Sequence, residues 1–382
     1  MHMRSLIDEA LSRGTSPNQQ QAPPAYAVQD QNYAQPQQLS AIDDELSRFL
    51  DQLKTNIKIV GCGGGGTNTI GRIVEEGITG AELYAANTDA QHLLAVNAPH
   101  KILLGRRCTR GLGAGALPRV GEEAAAEADD ELRRSLMDAH IVFVTAGMGG
   151  GTGTGSAPYV AKLAKSMGAL TIAVTTMPFE GEGRMRMENA IWGLDRLRES
   201  ADTVIVIPND KLLKVCPNVS INVAFKVADE LLMRAIKGIT EIITKPGLVN
   251  LDFNDIKTIM KGAGVALIGL GESEEDSDDR ATEAIEDALN SPLLEVDISD
   301  ATGVLINVVG GTNMTLMEAE KVASTIQSRV SPNARIIWGA AVDPALSNKM
   351  RVMLIITGVK SEQIFDKKPV DEEYLDGIPT VR

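Results

Sequence analysis

The sequence predicts an α/β protein: a doubly wound parallel sheet joined by one long central helix to a smaller α+β domain with a mixed sheet. Three observations carry this expectation. From Asn56 onward, short runs rich in β-branched residues alternate with helical periodicity, the pattern of a parallel sheet covered on both faces. Two glycine-rich stretches each sit between a strand and a helix. Beyond residue 246 the alternation ends in two strands that follow one another.

The elements follow in order. Residues 1–13 have helical spacing but are too short to hold a helix alone. Residues 16–40 are rich in Gln and Pro, so residues 1–40 are expected to be a disordered extension. Ser40 can cap a helix whose Ile42, Leu46, Phe49, Leu50 and Leu53 share one face. An α/β domain is expected over 41–220, with the strand "NIKIV" and a helix through Ile70, Ile73 and Val74 that stops at Gly77. "AELYAANT" and "KILLG" are strands, "RGLGAGALPRVG" a loop, and 121–137 a polar helix. "HIVFVTAG" leads to the second glycine stretch and the helix "SAPYVAKLAKSM"; "ALTIAVTTM", a helix over 184–200 and "TVIVIP" complete the unit. The longest helical pattern spans 221–245 and stops at Pro246 and Gly247. The second domain, 246–360, holds a short helix "FNDIKTIMKG", the strand "GVALIGLG", a charged loop "ESEEDSDD", helices over 279–289 and 315–329, and the strands "GVLINVVGG", "ARIIWGAAVD" and "KMRVMLIITGV". The charged loop lacks the glycine and spacing of an EF-hand and reads as a solvated turn. Residues 361–382 form a tail ending in "YLDGIPTVR", a candidate linear binding peptide.

Composition narrows the function. With 382 residues, 43% of them hydrophobic, the chain can bury a full core in about two domains. A net charge of -14 argues against nucleic acid or an anionic membrane as partner. Cys62, Cys108 and Cys216 form no C-x-x-C pair and suit a reducing cytoplasm. Four histidines without H-x-x-x-H spacing argue against transition-metal catalysis. No run of about 18 apolar residues occurs, and the first residues lack a basic-then-apolar signal pattern, so the chain is expected to be neither membrane-spanning nor secreted.

"GCGGGG", residues 61–66, satisfies G-x-G-x-x-G between a strand and a helix, and Asp89 follows at the interval of a ribose-binding acid. Alone, this allows an NAD-dependent oxidoreductase. The second stretch changes the balance: six of the nine residues 147–155 are glycine, at another strand-to-helix junction on the same sheet edge. Two helix N-termini with bare backbone suit a dense anion such as a triphosphate. Neither contains the lysine of a Walker loop, so amide dipoles, a bound Mg²⁺ and one or two arginines would have to meet the charge. The competing reading is glycine placed for tight helix–sheet packing.

From "GGGTGTGSAP" at residues 149–158, the sequence resembles the tubulin/FtsZ superfamily, and its FtsZ branch rather than tubulin. "GCGGGGTNTIGRI", "NTDAQHL", "RGLGAGALP", "MPFEGEGRMRMENA", "IPNDKLL", "AFKVADELL", "GLVNLDFNDIKTIM" and "NSPLLEVDISDATGVLINVVGG" match in order, so the resemblance covers residues 56–359. The glutamine-rich extension, residues 183–186 and the short tail resemble the archaeal form.

The resemblance implies the tubulin/FtsZ fold, GTP and GDP as ligands with Mg²⁺, GTP hydrolysis, and a homopolymer at the division ring under the membrane. By position it implies phosphate contacts from Gly64, Gly65, Gly66, Thr67 and Asn68, and from Gly149, Gly150, Gly151, Thr152, Gly153, Thr154 and Gly155. Of these, Gly64 to Asn68 and Gly151 to Gly153 are expected to donate main-chain N–H groups. Ala114 and Gly115 would approach the γ-phosphate, and Asn87 and Asp89 the phosphates and metal. Glu182 and Arg186 match ribose and phosphate contacts; Asn209, Phe225 and Asp229 match the base pocket. There Phe225 would stack and an ionised Asp229 accept from guanine N1–H and N2–H, rejecting adenine.

Asn250, Asp252 and Asp255 match the catalytic loop that positions and polarises the attacking water. A helix of about 20 residues, some 30 Å at 1.5 Å per residue, separates them from Phe225. The resemblance therefore implies a site completed by a second subunit in a head-to-tail filament. The tail resembles the family's adaptor-binding peptide and implies a membrane-tethering partner of the SepF type. Two other readings stand beside this one: a slow-turnover structural polymer governing cell shape, and the NAD enzyme.

Overall fold

The computed structural model describes residues 55–215, 219–244, 247–249, 251–274, 279–294 and 296–359. The expected N-terminal extension, the helix over 40–53, Cys216, Asn250 and the tail lie outside the described residues.

The first half runs β1 (Ile57–Cys62), α1 (Gly63–Glu75), β2 (Ala81–Asn87), α2 (Ala90–Ala95), β3 (His100–Leu103), α3 (Pro118–Glu127), α4 (Asp129–Leu136), β4 (Ile141–Gly147), α5 (Gly151–Ser166), β5 (Leu170–Met177), α6 (Arg184–Ser200), β6 (Thr203–Pro208) and α7 (Asn209–Val215). The central helix α8 (Ile221–Thr244) leads to α9 (Phe253–Met260), β7 (Gly264–Glu272), α10 (Arg280–Leu289), β8 (Gly303–Gly310), α11 (Leu316–Gln327), β9 (Arg335–Val342) and β10 (Met350–Thr357).

Among the described residues, hydrogen bonding links ten strands in the order β3-β2-β1-β4-β5-β6-β7-β10-β8-β9. The strands β3 to β6 are mutually parallel; β10 is antiparallel to β7 and β8, and β8 is parallel to β9. The mixed sheet expected in the second half is present, and it continues the first. The junction is a short parallel pairing from Thr203↔Gly264 to Ile205↔Ala266. Gly264, at φ 71°, turns the chain out of α9 into that pairing, and its N–H donates to Asp202 O at 3.1 Å.

The core explains why α8 reads as the longest helical pattern. Its Val227, Leu231, Leu232, Ile236, Ile239 and Ile242 are buried in one cluster with β1, β5 and β6 on one side and Leu270, Leu305 and Met353 on the other. Each such side chain contributes roughly 1.5–3 kcal/mol by leaving water. The helix is therefore the shared wall of both halves. A second cluster packs α3, α4, α5 and α6 on the opposite face of the parallel strands, and a third packs α10 and α11 on the mixed sheet.

Two local expectations change. The polar helix over 121–137 is two helices, broken at Ala128 (φ -94°, ψ 14°), which lets Leu132 and Leu136 reach the core. The helices after the glycine stretches begin inside them, at Gly63 and Gly151. Glycine costs about 1 kcal/mol per residue in a helix, but here close backbone contacts require it. A Cβ would stand 2.3 Å from Thr145 O at Gly66, 2.9 Å from Gly147 O at Gly153 and 1.9 Å from Pro118 O at Gly155.

Candidate nucleotide site

β1 and β4 pair in register from Ile57↔Ile141 to Cys62↔Ala146, so the helices leaving their carboxyl ends start side by side. A Cβ on Gly63 would lie 2.6 Å from the Gly153 nitrogen, and Gly63 is itself at φ 70°, where side chains are strained. An α-helix leaves its first amides without internal acceptors. On α1 these are Gly63, Gly64 and Gly65; on α5 they are Gly150, Gly151, Thr152 and Gly153. The expectation that Gly64 to Asn68 and Gly151 to Gly153 all donate main-chain N–H groups needs correction. Gly66, Thr67 and Asn68 lie within the α1 ladder. The Gly151 N–H donates to Gly115 O at 2.8 Å, and the Gly149 N–H to Thr154 Oγ1 at 2.9 Å. Glycine thus serves two purposes: Gly66, Gly153 and Gly155 permit packing, whereas Gly150 faces open space with no atom within 4 Å of its would-be Cβ.

The Gly151–Gly115 bond fastens the loop of Ala114 and Gly115 to the second helix start. Asn189 of α6, which sequence reasoning passed over, strengthens it: its Nδ2 donates to Ala116 O at 2.9 Å and to Gly149 O at 3.2 Å. Thr88 Oγ1 and Thr152 Oγ1 share a hydrogen bond of 2.5 Å, bringing the β2 edge to the same place. There Asp89 caps α2, accepting from His92 N at 3.0 Å. His92 in turn contacts Asn68 and Asn87.

The residues expected to form the base pocket gather around α8. Phe225, 37% exposed, meets the buried Phe179 edge-on with ring centroids 5.2 Å apart. Phe179 was another omission of the sequence reading. Asn209 is buried, and its Oδ1 has no hydrogen-bond partner among the described residues. Such an orphaned acceptor suits a ligand that brings N–H donors. Glu182 is already engaged at both oxygens, by Phe179 N at 2.9 Å and Arg186 Nη1 at 2.5 Å. Arg72 of α1 lies between two carboxylates of α8, its Nε 3.7 Å from Asp229 Oδ2 and its Nη1 3.8 Å from Glu230 Oε2. Burial pushes the Asp229 carboxyl up to about 7; the Arg72 guanidinium opposes that rise and Glu230 adds to it.

Asp252 and Asp255 are not brought to this crevice. Phe253, beside Asp252, packs on His140 with centroids 6.0 Å apart, and His140 immediately precedes β4. The acids therefore lie at the amino edge of the sheet, while the glycine helices lie at its carboxyl edge. The seven residues of β4 separate them, about 23 Å at 3.3 Å per residue. Locally the two form a capping box on α9: Asp255 N donates to Asp252 Oδ1 at 2.9 Å and Asp252 N to Asp255 Oδ2 at 3.3 Å. Asp252 is exposed, with its Oδ2 unbonded among the described residues.

Comparison with known proteins agrees with this architecture. The Tubulin/FtsZ family GTPase domain matches residues 56–217, and the FtsZ family C-terminal domain matches residues 264–360. The chain is 54% identical to cell division protein FtsZ 1 of Archaeoglobus fulgidus, with 100% of both chains covered. It is 57% identical to cell division protein FtsZ of Haloferax mediterranei over 88% of each. Among solved structures it resembles an empty FtsZ dimer from M. jannaschii (TM-score 0.81, 53% identity, covering 90% of this chain and 100% of that one). A GTPγS-bound protofilament of CetZ2 from Haloferax volcanii shares the fold at 19% identity, with a TM-score of 0.70 and coverage of 82% and 97%. The two family-model matches, together with relatives more than half identical over most of their length, place the chain in the FtsZ family of tubulin-like GTPases, the cell division proteins.

Proposed function

We propose that this chain hydrolyses GTP at joints between subunits of a head-to-tail filament that forms the division ring under the membrane. One observation supports this above the others: the pocket side chains and the acids Asp252 and Asp255 occupy opposite edges of one sheet. On this reading the free amides of the α1 and α5 starts bind phosphates, Phe225 stacks on guanine, and Asn209 and Asp229 accept from it. The unit 41–220 supplies the pocket, 221–245 spans the protomer, and 246–360 presents Asp252, Asp255 and, outside the described residues, Asn250 to the next subunit's nucleotide. No cluster of three or more His, Cys, Asp or Glu suited to a metal occurs among the described residues, so Mg²⁺ would take most of its ligands from phosphate oxygens and water.

Both edges carry apolar surface that a neighbour would bury. Leu112 is 86% exposed and Leu94 80% exposed near the crevice, and Leu248 is 52% exposed near the acids. Such a contact pairs unlike faces and so propagates as a filament. The tail's adaptor role rests on the resemblance alone. One experiment addresses assembly and tail together. With GTP, the full chain should scatter light and sediment as filaments. Deletion of residues 375–382 should preserve both while abolishing co-sedimentation with a SepF-type adaptor. A chain that stays monomeric with GTP contradicts the assembly reading, and unchanged adaptor binding contradicts the tail reading.

The Asp229 environment gives a pH dependence. Only the ionised carboxylate accepts from both guanine donors, so binding favours the form that predominates above pH about 7. GTP affinity should therefore fall by up to about tenfold for each pH unit below 7 and level off above it. Titrations between pH 5.5 and 8 check this. Asp229→Asn should bind weakly with no such slope, and an equally steep slope in that variant would refute the assignment.

A further inference from the structure

Resting on the nucleotide reading, we infer that His92 is a positioning residue for the phosphate side of the site, orienting the Asn68 amide so that its NH₂ faces the ligand. The order of donors and acceptors follows from one fixed end. Asp89 N donates to Asn87 Oδ1 at 3.3 Å, which turns the Asn87 NH₂ toward His92. Asn87 Nδ2 lies 2.9 Å from His92 Nδ1, so Nδ1 must accept and the ring proton resides on Nε2. His92 Nε2 is 3.0 Å from Asn68 Oδ1, which must then accept. This leaves the NH₂ of Asn68, an exposed residue on α1 one turn beyond Gly64, available to a ligand. A flipped Asn68 would instead present a carbonyl oxygen to an anion.

The surroundings hold the ring in place. Its own backbone N–H donates to Asp89 Oδ1, and Thr67 Oγ1, bonded to Gly63 O at 2.8 Å, stands 3.4 Å from Nδ1. A Cβ on Gly64 would lie 3.7 Å from the His92 Cε1, so the imidazole also backs the start of α1. One side chain thus ties together α1, the end of β2 and α2, three segments of the crevice.

The test uses the full chain and competition of GTP and GDP against a fluorescent guanine nucleotide. His92→Ala should weaken both by about tenfold, the scale of one charge-assisted hydrogen bond. His92→Gln, whose amide offers an acceptor to Asn87 and a donor to Asn68, should stay within about threefold of wild type, a rescue that a space-filling role would not give. His92→Asn, polar but too short to span both amides, should behave as Ala and replaces it if the alanine variant does not fold. Asn68→Ala should lose as much, and the double variant His92→Ala/Asn68→Ala no more than Asn68→Ala alone. Wild-type affinity in His92→Ala, equal losses in Gln and Ala, or additive losses in the double variant would overturn the inference while GTP binding itself stands. A wild-type chain that binds no guanine nucleotide would overturn the nucleotide reading along with it.

Discussion

Asp252→Ala should bind GTP like the parent, hydrolyse it about 10²–10³-fold more slowly, and form filaments that persist. The magnitude is that of removing one group that positions or polarises at the reacting centre. Binding should be unaffected because the acid stands at the far sheet edge, where its neighbour Phe253 packs on His140, and away from Gly63 and Gly153. The alanine also removes the α9 cap, where Asp252 Oδ1 accepts from Asp255 N at 2.9 Å, which costs about 1 kcal/mol of stability. Asp252→Asn separates the two effects, since Asn caps a helix as well as Asp but carries no charge. It should melt like the parent and hydrolyse like the alanine variant. Turnover, nucleotide affinity, melting temperature and the decay of light scattering report the four quantities. Normal hydrolysis in Asp252→Asn would reduce the residue to its capping role.

The second large effect distinguishes the two uses of glycine. Gly155→Ala places a Cβ 1.9 Å from Pro118 O, backbone against backbone, where no rotamer can yield. Separation of α3 from α5 should cost about 3 kcal/mol or more, read as a marked drop in melting temperature or loss of soluble protein. Gly150→Ala meets no atom within 4 Å and sits at φ -86°, which alanine adopts freely. Its stability should stay within about 0.5 kcal/mol of the parent, while its methyl group should hold phosphate away from the exposed amides and weaken GTP binding. If Gly150→Ala bound normally and Gly155→Ala melted normally, the division of roles would be wrong.

The same contrast shows what the sequence could and could not reveal. The strands and α8 were legible because apolar runs such as "IKIVG" and "VIVI" and the long periodic pattern report burial directly. The helical start at Gly151 was not, because glycine's weak helix propensity masks a backbone chosen for contact with Ala114 and Pro118. The joining of the two halves into one sheet rests on three residues of β6, too few to mark a pattern. At the site, the glycine stretches and the family resemblance indicated where phosphate would bind. Asn189, Phe179, Arg72 and His92 left no trace, since each matters through a partner distant in sequence: Asn189 with Ala116, Phe179 with Phe225, Arg72 with Asp229, His92 with Asn68. Only folding creates those pairs.

The separation of pocket and acids is the central claim, and dilution tests it most directly. GTP turnover per molecule should be close to zero below a threshold protein concentration and rise steeply above it, in parallel with scattering, because under the proposed scheme a lone subunit would lack the acids that complete its site. A per-molecule rate that stays constant as the protein is diluted into the monomeric range would contradict the account.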